Sequence, residues 1–174
     1  MRYLPYRVIA VTAAFHLLSA PAEAVCTEPS TVDALLEKLS SAEQAYSSFD
    51  IEQFRGSLDA ASELLPCLDV PAPEEMAAHY HRLQGLLASV FRDQTRARQA
   101  FLAARSIDPD YRFPTDMLSE DHPVRLDYAA LPLDGVVWKE MPQPREGSLI
   151  VDGQKSTSLP TTRPTIVQRT DTMG

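Results

Sequence analysis

Four side chains able to hold a metal fall within one short run: Glu74, Glu75, His79 and His81. Imidazoles and carboxylates are the ligand types of zinc and related transition-metal sites. On a helix, Glu75 and His79 stand four residues apart and share a face, whereas His79 and His81 point away from each other. One ion cannot take both imidazoles from such a helix, so the four read as solvated surface residues. The other reactive groups are Cys26 and Cys67. Two thiols do not complete a tetrahedral zinc shell, and no histidine flanks either one. The chain has no Gly-x-Ser-x-Gly, no His-Glu-x-x-His and no phosphate-cradling glycine loop. The expectation is a protein with no catalytic residue, no metal and no cofactor, an enzyme being the least favoured reading.

The start of the chain carries an address. Arg2 and Arg7 precede an apolar run from Val8 to Ala20, and Ala22-Glu23-Ala24 is a small-x-small cleavage site. This is the composition of a secretory signal peptide, expected over residues 1–24. The run is shorter than the ~20 residues that span a bilayer, so no stable membrane insertion is expected after cleavage. Secretion across the inner membrane places the protein in the periplasm or outside. Removing Arg2, Arg7 and Glu23 takes the formal charge from -8 to -9. A chain this acidic repels phosphates, which argues against nucleic acid as a partner.

An even cysteine pair in a secreted chain reads as a disulfide, here Cys26–Cys67. The alternatives are two unrelated thiols, or a lipidated Cys26, although Glu23-Ala24-Val25 before it is a poor lipidation signal. The placement favours the bridge. Cys26 precedes the first expected helix and Cys67 follows the second, and an antiparallel hairpin brings such ends together.

Apolar periodicity then sets out the helices. Helix one starts at Ser30 as N-cap and shows Val32, Leu35, Leu36, Leu39, Ala42 and Tyr46 on one face. Asp50 caps helix two, which buries Ile51, Phe54, Leu58, Ala61 and Leu65 and stops at Pro66. Helix three, opened by Pro73 in its first turn, carries Met76, Tyr80, Leu83, Leu87 and Val90 on one face. Asp93 caps helix four, with Ala97, Ala100, Phe101 and Ala104 inward, ending before Pro109. A short fifth helix from His122-Pro123 presents Val124, Leu126, Tyr128 and Ala129 and covers helix four.

Gly85, Ala97, Phe101, Ala104 and Pro109 resemble, position by position, the pattern of the tetratricopeptide repeat (TPR), a pair of antiparallel helices. The resemblance implies that Gly85 faces Ala97 at the closest helix approach and that Phe101 fills the gap to the next helix. Aligning Pro66 with Pro109 gives a divergent first repeat, offset by 43, in which Phe54 stands where the family expects a small residue. In TPR proteins the first helix of each pair lines the binding face. By matching position this implies Glu43 and Tyr46 in the first hairpin, and His79, Arg82 and Ser89 in the second, as residues that contact a partner.

Beyond the helices the texture changes. The expected organisation is a TPR-like helical domain over 25–131, a proline-bearing linker over 132–146 and a short β-like tail over 147–174. Gly147 to Gly153 is a β-branched run closed by an Asp-Gly turn, and Thr165 to Thr170 is a second strand candidate. Gly-x-Leu-x-Val-Asp-Gly resembles the opening strand of PEGA-type extracytoplasmic β-modules, of which the later strands are missing here. The fold class expected is mainly α, two helical hairpins plus a capping helix, with an incomplete β segment. The function expected is a non-catalytic extracytoplasmic adaptor that binds a protein or peptide. The alternative is a structural envelope component, or a truncated family member without binding activity of its own.

Overall fold

The computed structural model describes Cys26 and residues 28–170. The signal-peptide stretch lies outside the described residues, as do the three residues before Cys26. Among the described residues five α-helices come first: α1 Val32–Ser47, α2 Ile51–Leu64, α3 Glu74–Val90, α4 Gln94–Ile107 and α5 Pro123–Ala130. Five short strands follow: β1 Trp138–Glu140, β2 Ser148–Val151, β3 Gln154–Lys155, β4 Ser158–Pro160 and β5 Val167–Thr170. The fold is helix-rich and mixed. None of the described helices is long and apolar enough to cross a membrane.

Two corners of the helical layer are built alike. At the α1–α2 corner Ser48, Phe49 and Asp50 donate their N–H groups to Gln44, Tyr46 and Ala45 carbonyls. At the α3–α4 corner Phe91, Arg92 and Asp93 donate to Leu87, Ser89 and Ala88. Phe49 and Arg92 both sit at φ 60, the left-handed conformation that turns the chain sharply. The following aspartate then caps the new helix, Asp50 accepting from Gln53 N and Asp93 from Arg96 N, each at 3.0 Å. Both caps expected from the sequence are present. The first helix differs: its cap is Thr31, which accepts from Ala34 N, not Ser30. Ser30 is drawn into a backbone bridge instead, donating to Cys67 O and accepting from Asp69 N. That bridge lies beside the Cys26–Cys67 disulfide, so the start of α1 meets the end of α2.

In the second pair Gly85 meets Phe101 and Arg82 meets Asp108, so α3 and α4 run antiparallel. The close approach differs from the expected Gly85–Ala97 contact. A Cβ on Gly85 would first strike the ring of Phe101, with its Cγ only 2.9 Å away. The missing side chain makes room for an aromatic ring rather than for a backbone crossing.

α3 departs furthest from its expected single apolar face. Ala77, Ala78, His81, Arg82, Leu83, Gly85, Leu86 and Ala88 are all buried, while Val90 is exposed. The reason is tertiary: α1 and α2 pack on one side of α3, α4 on another, and the β segment lands on a third. α5 begins where expected, but only Tyr128 is buried, and Leu126 and Ala129 face outward. Tyr128 joins Phe101, Phe113 and Tyr111 in a set of edge-to-face rings at 5.0 to 6.3 Å. Such pairs add about 0.5–1.5 kcal/mol each beyond their buried area.

The stretch read as a linker is partly ordered, since Trp138–Glu140 pairs antiparallel with Ser158–Pro160. The two expected tail strands are present as β2 and β5, paired antiparallel with Ser148 opposite Thr170. β3 adds to the other side of β2, giving the order β3-β2-β5. The β2–β3 turn is Asp152-Gly153, both residues at positive φ (49 and 86), as a two-residue hairpin requires.

Candidate functional site

The β segment is held to the helices by a buried charge cluster. His81 projects from α3, is 2% exposed, and its Nε2 lies 3.1 Å from Asp152 Oδ1. Arg163 Nη1 donates to Asp152 Oδ2 at 2.6 Å, and Ile166 N donates to Asp152 Oδ1 at 2.8 Å. Burial pushes the Asp152 carboxyl up, but the hydrogen bonds and charge of His81, with the Ile166 N–H and Arg163, outweigh it and hold the group below its ordinary 3.8. The solvated reading of His81 is therefore corrected. The sequence held no signal for its partners, which lie 71 and 82 positions away along the chain and approach only when the tail docks. Gly153 in the same turn rests on the start of α3, where an added Cβ would lie 2.7 Å from Glu74 Cα and 2.8 Å from Pro73 C. Gln168 completes the joint, accepting from Ala72 N at 2.8 Å and donating to Leu65 O at 3.3 Å.

The residues expected to contact a partner are only partly gathered. His79 pairs with Glu43 at 3.1 Å across α3 and α1. The hydrogen bond from His79 holds the Glu43 carboxyl below its usual range, against the effect of burial. Tyr46 is half-buried, edge-to-face with Phe54 at 5.3 Å, and burial raises its phenol. Arg82 is 7% exposed. Its guanidinium bonds Asp108 at 3.2 Å and stacks over Tyr111 at 3.7 Å. Ser89 stands apart from these, and its hydroxyl donates to Gly85 O on its own helix. The stretch after α4 thus lies across this face of α3, with Tyr111 over Arg82 and Phe113 in the core. Sequence reasoning placed Arg82 on a groove without seeing that the chain's own Tyr111 covers it.

A second surface is open. A cleft of about 730 Å³ runs between the α3–α4 layer and the residues leading into β5. Its helical wall carries Tyr80, Gln84, Arg96 and Gln99, and its other wall is the run from Pro164 to Gln168. Tyr80 Oη is held by Ser62 (2.8 Å) and Gln84 (3.1 Å). The Arg96 side chain is exposed and makes no ion pair among the described residues. Hydroxyl, amide and guanidinium groups face one cleft, so it offers both donors and acceptors around an apolar floor that includes Ala100 and Ile166. Neither wall belongs to the residues matched to the repeat's binding face: one lies on α3 and α4 away from them, and the other belongs to the tail. No protein-family model, no curated protein and no solved structure matches this chain.

Proposed function

We propose that this chain is a non-catalytic protein-interaction module of the TPR-like kind that works outside the cytoplasm and takes an extended peptide segment of a partner protein. The observation that carries the reading is the open cleft between α3–α4 and the Pro164–Gln168 run. It is roomy, lined by mixed donors and acceptors, and walled by elements locked in place through Asp152. Preorganised walls lower the ordering cost of binding. The repeated corner at an offset of 43 supports kinship of the two hairpins with helical repeats. The Cys26–Cys67 bridge fits an oxidising compartment.

The test is site-specific photocrosslinking in the native envelope. A photoreactive residue at Gln99 is expected to give a discrete adduct that Arg96→Glu diminishes, while one at Ser40 on α1 gives none. Adducts of equal yield from both positions, or none from Gln99, would remove the cleft as the site. A second reading keeps the partner on the face of Tyr46, Glu43 and His79, favoured by the partial exposure of that pair. A probe at Glu43 that outperforms Gln99 would select it.

A further inference from the structure

The run Pro164–Gln168 that walls the cleft leads into β5, and among the described residues β5 is the edge of its sheet. The hydrogen-bond phase of that sheet is fixed by two contacts. Asp152 N donates to Ile166 O at 2.8 Å, and Ser156 N donates to Leu149 O at 3.1 Å. Bonded and non-bonded pairs alternate along an antiparallel ladder. Ile150–Gln168 and Ser148–Thr170 are therefore the pairs that bond each other, while Leu149 turns toward the β3 side. It follows that Val167 and Arg169 turn their N–H and C=O groups away from β2, to the open edge. Val167 lines the cleft and is 45% exposed. The charged groups on the cleft are few. Asp93 has one carboxylate oxygen on Arg96 N as a helix cap, and His81 is turned to Asp152, which leaves the Arg96 guanidinium as the cation without an ion partner among the described residues.

Resting on the interaction reading above, we infer that the partner segment binds as an added β-strand along β5, bonding the main chain of Val167 and Arg169, with a carboxylate of the segment on Arg96. An unpaired strand edge is a ready template for another chain, and main-chain bonds supply affinity while side-chain pockets supply selectivity. Gln84 and Gln99 on the opposite wall satisfy polar groups on the far side of such a strand. A guanidinium is the side chain best matched to a carboxylate.

The probe is a pool of short random peptides, displayed and selected on the oxidised full chain, with the recovered sequences synthesised. Recovered peptides are expected to carry an Asp or Glu, to slow exchange of the Val167 and Arg169 amides by about tenfold or more, and to lose about tenfold in affinity when alternate residues are N-methylated. Arg96→Glu should weaken acidic peptides and spare their Gln analogues. Peptides that bind without protecting those amides, and that tolerate N-methylation at every position, overturn strand addition but leave the interaction reading intact. Peptides that instead protect α1 residues around Glu43 also overturn it, as does a selection that recovers nothing. Loss of the Gln99 adduct in the envelope experiment is the separate result that removes the interaction reading itself.

Discussion

The two helical hairpins share a corner and differ in everything that closes them. Phe49-Asp50 and Arg92-Asp93 make the same left-handed turn and the same cap. Beyond that corner α1–α2 is fastened covalently, by Cys26–Cys67 and the Ser30 bridge. α3–α4 has no such staple. It is fastened by shape, with Phe101 seated on Gly85, and by charge, with Arg82 on Asp108 and the tail clamped to His81. Repeating a local turn is thus compatible with two unlike ways of holding a hairpin shut. The outer hairpin has one free side and relies on a cross-link, while the inner one is covered by neighbours.

The largest effect should come from the clamp. Asp152→Ala leaves His81 and Arg163 buried without their common partner, and breaking a buried pair costs about 3–5 kcal/mol. Thermal unfolding followed beside protease cleavage of the tail checks this, and a small shift with an intact tail would mean that α3 does not depend on the cluster. The same site sets an acid limit. Because the Asp152 carboxyl is held below 3.8, its contribution is complete above that pH and is lost as pH falls through the lower, folded value. Relative to its own neutral stability, wild type should therefore lose stability in acid from a higher pH than an Asp152→Asn variant, whose acid limb is expected to be flatter; acid limbs of equal steepness would remove Asp152 as the source.

Reduction of the disulfide tests the first hairpin. The bridge spans a sequence separation of 41, and a loop of that size is worth about 4 kcal/mol in the chain-entropy model, with measured values typically ~2–4. Exchange should accelerate first in α1 and α2, leaving α3–α4 protected. Uniform loss across both hairpins would show that they do not close independently.

Glycine substitutions sharpen the contrast at smaller scale. Gly85→Ala drives a methyl into a ring already packed by Phe113 and Tyr128, and overpacking of this kind costs about 1–3 kcal/mol, partly offset by ~1 kcal/mol of helix propensity. Gly56 in α2 has nothing within 4 Å of its added Cβ, so Gly56→Ala should stabilise by up to about 1 kcal/mol. Denaturant midpoints that move in opposite directions are the expected outcome. The smallest prediction concerns the shared corner. Asp50→Ala and Asp93→Ala should cost about 1 kcal/mol each and nearly equally, since both remove one cap bond of 3.0 Å.

What the sequence determined by itself was local. Asp50 and Asp93 as caps, Pro66 and Pro109 as limits, the Asp152-Gly153 turn and the start of α5 all follow from short-range rules of hydrogen bonding and backbone freedom. The Cys26–Cys67 pairing was also legible, because hairpin geometry alone brings those ends together. The tertiary structure decided the rest. Burial of His81 required Asp152 and Arg163 to arrive from the tail, and a periodicity rule that treats each helix as having one wet side cannot anticipate a helix covered on three. Arg82 was expected on a partner-binding face, and only the path of Pro109 to Leu118 showed that Tyr111 covers it. The open cleft was invisible for the same reason: its walls, Tyr80 to Ala100 and Pro164 to Gln168, are far apart in the chain and meet only in the folded molecule.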